Sequence, residues 1–380
     1  MLHTKRFRPA ARRGATARRP AGGTAVLLGA LGALSLVAAT ATASTGTASA
    51  APSPVRWAAL GDSYTSGVFV GDPSPALGSA DRDGCDRTTG SYPYLVERRL
   101  AAGPPAGRQV RLTDVSCAGA TIPQMTSDRQ TPFSPVQPPA GGWASVAPQA
   151  ERAALGPDTD VVTVGVGGNS LPFGAMLTAC LLADTGQPDA AAPCRDAYEA
   201  GGTPVDPEPI DAKYERIAGE YADMLRAVHR TAPHAKVLSV GYPTVFPHDP
   251  RGCDRDDTGA LAADITGVGR VSLTHGDIAW FHGVITRLDA IVRSVTESFG
   301  DTYVDTAASS AGHDVCRPRG TKWMEGICGQ AGGYWPSALS FDSLTVECSG
   351  GTRVTLVHPD AAGQANIAAQ VAAALRRALA

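Results

Sequence analysis

Apolar runs alternate with helical patterns through most of the chain. Val55–Leu60 reads as a buried strand, and Tyr92–Leu100 as the helix that follows. Gln109–Val115 reads as a second strand. Asp160–Val166 (DVVTVGV) is the clearest buried strand, an apolar run that ends in glycines. Asp211–Val228 has the spacing of an amphipathic helix, with Asp211 placed to cap its start. Lys236–Val240 is another buried strand and Ile278–Phe299 a long helix. Thr302–Asp305 reads as a short strand, and Ala361–Leu379 as a closing alanine-rich helix. Such alternation predicts an α/β fold, with a mostly parallel sheet and helices on both faces. Reactive groups in such sheets collect at the carboxyl ends of the strands. Ser63, Gly119 and Asn169 each fall just after a predicted strand, so one rim should hold all three. Between the elements run long Gly/Pro/Asp-rich stretches: Val68–Gly90, Thr121–Pro148, Pro172–Pro209 and Pro243–Thr274. Loops of that length in a compact domain are usually functional or disordered.

The first fifty residues stand apart from this pattern. Seven basic and no acidic residues precede a small, apolar run, Thr24–Ala39, and then Ala48-Ser49-Ala50. That is the pattern of a secretory signal peptide cleaved between Ala50 and Ala51, leaving residues 51–380 as one domain. A membrane anchor is the competing reading. It is disfavoured because the run is short, alanine-rich and followed by a cleavage pattern. The whole chain has 33 basic and 36 acidic residues. Without the leader the balance is 26 to 36, a net charge of −10, which argues against nucleic acid or an anionic membrane as partner.

All eight cysteines, Cys85, Cys117, Cys180, Cys194, Cys253, Cys316, Cys328 and Cys348, lie after the leader. An even number in an exported chain reads as disulfides. No C-x-x-C pair supports a zinc site, and no clustered His/Asp set supports a binuclear metal centre. Pairing by sequence neighbours gives Cys85–Cys117, Cys180–Cys194, Cys253–Cys316 and Cys328–Cys348 among the 105 pairings that eight cysteines allow.

Four blocks carry the candidate chemistry: Gly61-Asp62-Ser63-Tyr64, Cys117-Ala118-Gly119-Ala120-Thr121, Gly165-Val166-Gly167-Gly168-Asn169-Ser170, and Val357-His358-Pro359-Asp360-Ala361-Ala362-Gly363. Each alone has an ordinary explanation as a turn or helix start. Together, in this order, they resemble the SGNH hydrolases, also called GDSL lipases and esterases, over Val55 to the C-terminus. Ser91-Tyr92-Pro93, His313-Asp314-Val315-Cys316 and Lys322-Trp323 are further matches to the secreted bacterial branch with several disulfides. The Ser63 turn is not the α/β-hydrolase elbow, because Thr65 stands where G-x-S-x-G needs glycine.

The resemblance implies a three-layer α/β/α, flavodoxin-like SGNH fold and a serine hydrolase that needs no cofactor or metal. Ser63 would be the nucleophile and His358 the general base. The backbone N–H groups of Ser63 and Gly119 and the Asn169 amide would form the oxyanion hole. Many members carry an aspartate three residues before the histidine; here that residue is Thr355. Some secreted relatives use a main-chain carbonyl two residues before the histidine, which here is that of Leu356. Asp314 and Asp342 are the competing carboxylates. The expected substrate is a small-molecule or lipid ester, acted on by a monomer without a stable membrane anchor. A carbohydrate O-deacetylase, or a catalytically silent glycan- or lipid-binding protein on the same scaffold, are the alternatives. Trp143, Phe173, Trp280, Phe281 and Trp335 are candidates for an acyl groove, with the core expected to take at least half of them.

Overall fold

The computed structural model describes residues 52–204, 206–341 and 344–380. The leader with its Ala50/Ala51 cleavage position, and Asp342, lie outside the described residues.

Five parallel strands form the central sheet: β1 (Val55–Gly61), β2 (Val110–Asp114), β3 (Val161–Gly165), β4 (Lys236–Val240) and β5 (Thr302–Val304). Their order across the sheet is β2-β1-β3-β4-β5. Side chains alternate across a strand, so both faces of β1 must be covered. Val55, Trp57 and Ala59 face one layer, the Tyr92–Ala101 and Ala361–Ala378 helices, through Tyr92, Val96, Leu100, Ile367 and Val371. Ala58 and Leu60 face the other, the Ile210–Thr231 and His275–Ser298 helices, through Tyr221, Leu225, Phe281 and Leu288. This is the three-layer α/β/α fold expected, in flavodoxin-like strand order. The order reverses at β1, so the crevice between the carboxyl ends of β1 and β3 is the topological switch point. Ser63 lies two residues beyond the end of β1.

Three local expectations change. Asp211 does not cap its helix: the helix starts at Ile210 after Pro209, and Asp211 lies in its first turn. A carboxylate there still complements the helix dipole. The long helix near residue 280 starts at His275, where Thr274 Oγ1 accepts the Asp277 N–H at 3.1 Å. Two of the stretches read as loops contain regular structure. Pro172–Pro209 holds the Phe173–Ala183 and Pro193–Ala200 helices, joined by Cys180–Cys194. The first is apolar nearly all round, so it gives no amphipathic period to read. Pro243–Thr274 contains the hairpin Ala262–Ile265 and Gly269–Ser272. This hairpin joins Ala338–Phe341 and Leu344–Glu347 in an antiparallel sheet. Four-residue strands are too short for an alternation to stand out from the surrounding glycines.

The disulfides are Cys85–Cys117, Cys180–Cys194, Cys253–Cys316 and Cys328–Cys348, the pairing of sequence neighbours. Among the described residues no helix is long and apolar enough to cross a membrane.

Candidate active site

The apolar run of β1 ends in Gly61, and the chain turns at once. A Cβ at Gly61 would lie 2.2 Å from Thr65 Oγ1 and 2.6 Å from the Gly165 carbonyl, so no side chain fits there. Asp62 is 1% exposed and caps the one-turn helix Ser63–Ser66, its Oδ1 accepting the Tyr64 N–H at 2.9 Å. Its second oxygen accepts the Tyr242 hydroxyl. Burial pushes the Asp62 carboxyl up to about 6 even though Tyr242 and the Tyr64 N–H stabilise its charge. Asp62 therefore holds the turn, and Ser63 sits partly exposed at its tip.

His358 meets Ser63 from the far end of the chain. Its Nε2 lies 2.7 Å from Ser63 Oγ. Its Nδ1 lies 2.9 Å from two main-chain carbonyls, those of Thr355 and Leu356. Carbonyls only accept, so Nδ1 carries the proton, and the Nε2 lone pair is left facing the serine hydroxyl. The curl that achieves this puts Leu356 and Val357 at φ 46° and 56°, a conformation that costs a β-branched residue energy. The neighbouring 323–327 segment over-determines it. Asp360 N–H donates to the Trp323 carbonyl, Glu325 N–H to that of His358, Val357 N–H to that of Gly326, and Thr355 N–H to that of Ile327, each at 2.9 Å. Asp360 then caps the last helix, accepting the Ala362 and Gly363 N–H groups. Burial lowers the His358 pKa from its usual 6.5, against the opposing pull of the two carbonyls.

The other two blocks close around the end of β1. Cys117 N–H donates to the Gly61 carbonyl at 3.0 Å, and Asp62 N–H to that of Gly165 at 3.0 Å. Gly119 has φ 77°, in the left-handed region that glycine enters freely. Asn169 Nδ2 donates to the Ala120 carbonyl at 3.0 Å and ties the second loop to the third. Among the described residues, neither the Ser63 nor the Gly119 backbone N–H has a protein acceptor. Asn169 keeps a second N–H beyond the one given to Ala120.

Of the two competing carboxylates, Asp342 lies outside the described residues, and Asp314 makes no hydrogen bond to His358. Asp314 is buried and accepts the Cys316 N–H and the Arg317 Nε–H instead. The Leu356 carbonyl does reach Nδ1, but shares it with the carbonyl of Thr355. The Thr355 hydroxyl points the other way, donating to the Gly326 carbonyl. No sequence signal assigns a role to Tyr64, Tyr242 or the 323–327 segment. The Lys322-Trp323 landmark marks that segment, and His313 stacks on Trp323 with ring centroids 3.5 Å apart. Of the candidate groove aromatics, Phe281 is core, Phe173 packs on it, and Trp280 stacks on Tyr198. Trp143 lies under Arg82. Trp335 packs with Val68, Val70, Val136 and Phe69, and Phe69 stands edge-on to His358.

Comparison with known proteins bears on the family and the fold. The model of the GDSL-like Lipase/Acylhydrolase family matches residues 59–365. Lipase 2 of Streptomyces coelicolor is 33% identical over 78% of this chain and 84% of its own length. An esterase of Streptomyces scabiei is 28% identical over 71% of this chain and 75% of its own. Phospholipase A1 from Streptomyces albidoflavus superposes with a TM-score of 0.51 at 22% identity, over 85% of this chain and 99% of that one. An extracellular lipase from Streptomyces rimosus gives 0.51 at 20% identity, with the same coverage. The chain belongs to the GDSL-like lipase/acylhydrolase family and is a carboxylic ester hydrolase.

Proposed function

We propose that this protein is a secreted serine hydrolase of lipid acyl esters, acting through a Ser63–His358 dyad. The observation that carries the reading is the 2.7 Å contact between Ser63 Oγ and His358 Nε2, with Nδ1 held by carbonyls on the other side. Ser63 attacks the ester carbonyl while Nε2 takes its proton, and the imidazolium then protonates the leaving alcohol. Water repeats the sequence on the acyl-enzyme. Two neutral carbonyls fix the tautomer and stabilise the imidazolium less than a carboxylate does. The oxyanion is assigned to the Ser63 and Gly119 N–H groups and the second N–H of Asn169. That these two backbone donors are otherwise unused supports the assignment.

Phe69, edge-on to His358 and backed by the buried apolar cluster of Val68, Val70, Val136 and Trp335, puts an apolar ring beside the proposed base and favours an acyl chain over a sugar. The names of the lipase and phospholipase relatives point the same way. Export is supported by the basic-then-apolar leader, the four disulfides, and a structural relative described as extracellular. A fluorophosphonate probe should label Ser63 and fail to label Ser63→Ala. A p-nitrophenyl ester series should favour chains longer than acetate; a clear preference for acetate overturns the lipid reading in favour of a deacetylase.

A further inference from the structure

Tyr242 follows β4 and is buried, 6% exposed. Its hydroxyl oxygen accepts the Gly168 N–H at 2.8 Å and donates its proton to Asp62 Oδ2. The direction is fixed, since a carboxylate only accepts. The other Asp62 oxygen accepts the Tyr64 N–H at 2.9 Å. The Tyr64 hydroxyl donates to the Val357 carbonyl at 2.6 Å. The two tyrosine rings meet edge to face with centroids 5.0 Å apart, and the Tyr64 ring lies 5.0 Å from the His358 imidazole. Each end of this chain stops one residue short of a group used in the reaction: Gly168 precedes Asn169, and Val357 precedes His358. Its middle, Asp62 and Tyr64, flanks Ser63 on both sides.

We propose that Tyr242 and Tyr64 are positioning residues: joined through Asp62, they hold the Asn169 loop and the His358 loop in register with Ser63. The proposal rests on the dyad and oxyanion roles given above. It explains why Asp62 and Tyr242 are buried, and Tyr64 half-buried, where aliphatic packing would serve stability alone. A satisfied network costs little and fixes geometry, whereas a half-satisfied one leaves the Gly168 N–H or the Asp62 carboxylate without its partner. Burial raises both phenols above their usual range, so each stays a proton donor at any pH where an esterase works. Asp289 anchors the Tyr242 end, accepting its backbone N–H at 2.9 Å and tying β4 to the His275–Ser298 helix.

The test compares Tyr242→Phe, Tyr64→Phe and the double variant in the full protein, with kcat, KM and Tm measured for each. Fluorophosphonate labelling of the wild type runs in parallel. Each single variant should lose about 10- to 100-fold in kcat, the scale of a hydrogen bond to or beside a charged group, with KM within about twofold. The double variant should lose less than the product, because the two rings are in contact and brace the same Ser63 turn. A wild type that labels at Ser63, with both variants keeping kcat within about threefold, leaves the dyad standing and overturns the network. A wild type that does not label at Ser63 overturns the dyad itself. A loss that follows the unfolded fraction and disappears on cooling well below Tm reduces the tyrosines to packing and also overturns the proposal. Should Tyr242→Phe fail to fold, Tyr64→Phe decides alone by the same thresholds.

Discussion

Ser63 and His358 touch, yet they are held by two different kinds of structure. Ser63 sits on a turn set by its own neighbours: Gly61 leaves room for the chain to bend, and Asp62 caps the next turn. Behind it stands β1, an interior strand of the parallel sheet, covered on both faces. His358 lies 295 positions away, on a curl with two left-handed residues. That curl is held by backbone hydrogen bonds to the 323–327 segment. Cys328, one residue further on, pairs with Val354 in a short antiparallel ladder and is stapled to Cys348. The proposed nucleophile thus inherits the rigidity of the core, and the proposed base depends on a peripheral patch. A strained loop persists only where its surroundings over-determine it, so the base arm should be the more easily disturbed.

The largest effects remove the contact itself. Ser63→Ala and His358→Ala should each abolish ester hydrolysis, and the double variant should be little worse than either, because the pair acts as a unit. Substantial activity in Ser63→Ala would end the comparison, since there would be no pair to compare. Next, Asn169→Ala should lower kcat by about 100-fold or more with a smaller change in KM. A change in KM alone would move Asn169 from the transition state to substrate binding.

Two disulfides separate the arms directly. Replacing Cys328 and Cys348 by serine, or Cys180 and Cys194, opens links of similar span, 20 and 14 residues, worth about 2–4 kcal/mol each. Both should lower Tm. Removing Cys328–Cys348 should also lower kcat several-fold by loosening the His358 curl, and removing Cys180–Cys194 should leave kcat within about threefold. Equal kcat in the two variants would show that the base arm does not rely on its staple.

The pH profile tests the carbonyl-held base. Neutral imidazole is the active form, and burial lowers the His358 pKa, so activity should persist down through pH 6.5 and fall only below it. An acid limb centred above 6.5 would point to a carboxylate at Nδ1. The smallest effect is expected from Asp314→Asn, which should keep kcat/KM within about threefold, since Asp314 binds Arg317 and the Cys316 N–H. A drop of about 10,000-fold would make it a triad acid after all.

The two arms also differ in how far the sequence reveals them. The Ser63 arm was legible because its causes are local: a buried strand, a glycine that must turn, and a capping aspartate within a few residues. The candidate roles of Gly119, Asn169 and His358 came from motif order, and the structure then brought His358 Nε2 to Ser63 Oγ. The long loops were misjudged where their order comes from distant partners. The Phe173–Ala183 helix is stapled to a second helix, and the Ala262–Ile265 hairpin completes a sheet with strands near residue 340.

The chain by itself determined the α/β alternation, the doubly covered β1 and the serine turn, because hydrophobic period and turn chemistry act within a few residues. The resemblance offered the Leu356 carbonyl, but only the tertiary structure decided that the Thr355 carbonyl shares His358 Nδ1 with it and what holds both there. The Thr355 and Leu356 carbonyls carry no side-chain signature, and the 323–327 segment and the Tyr64 hydroxyl reach them only after the chain has folded. Backbone groups are the same at every residue, so their roles are set by where folding puts them.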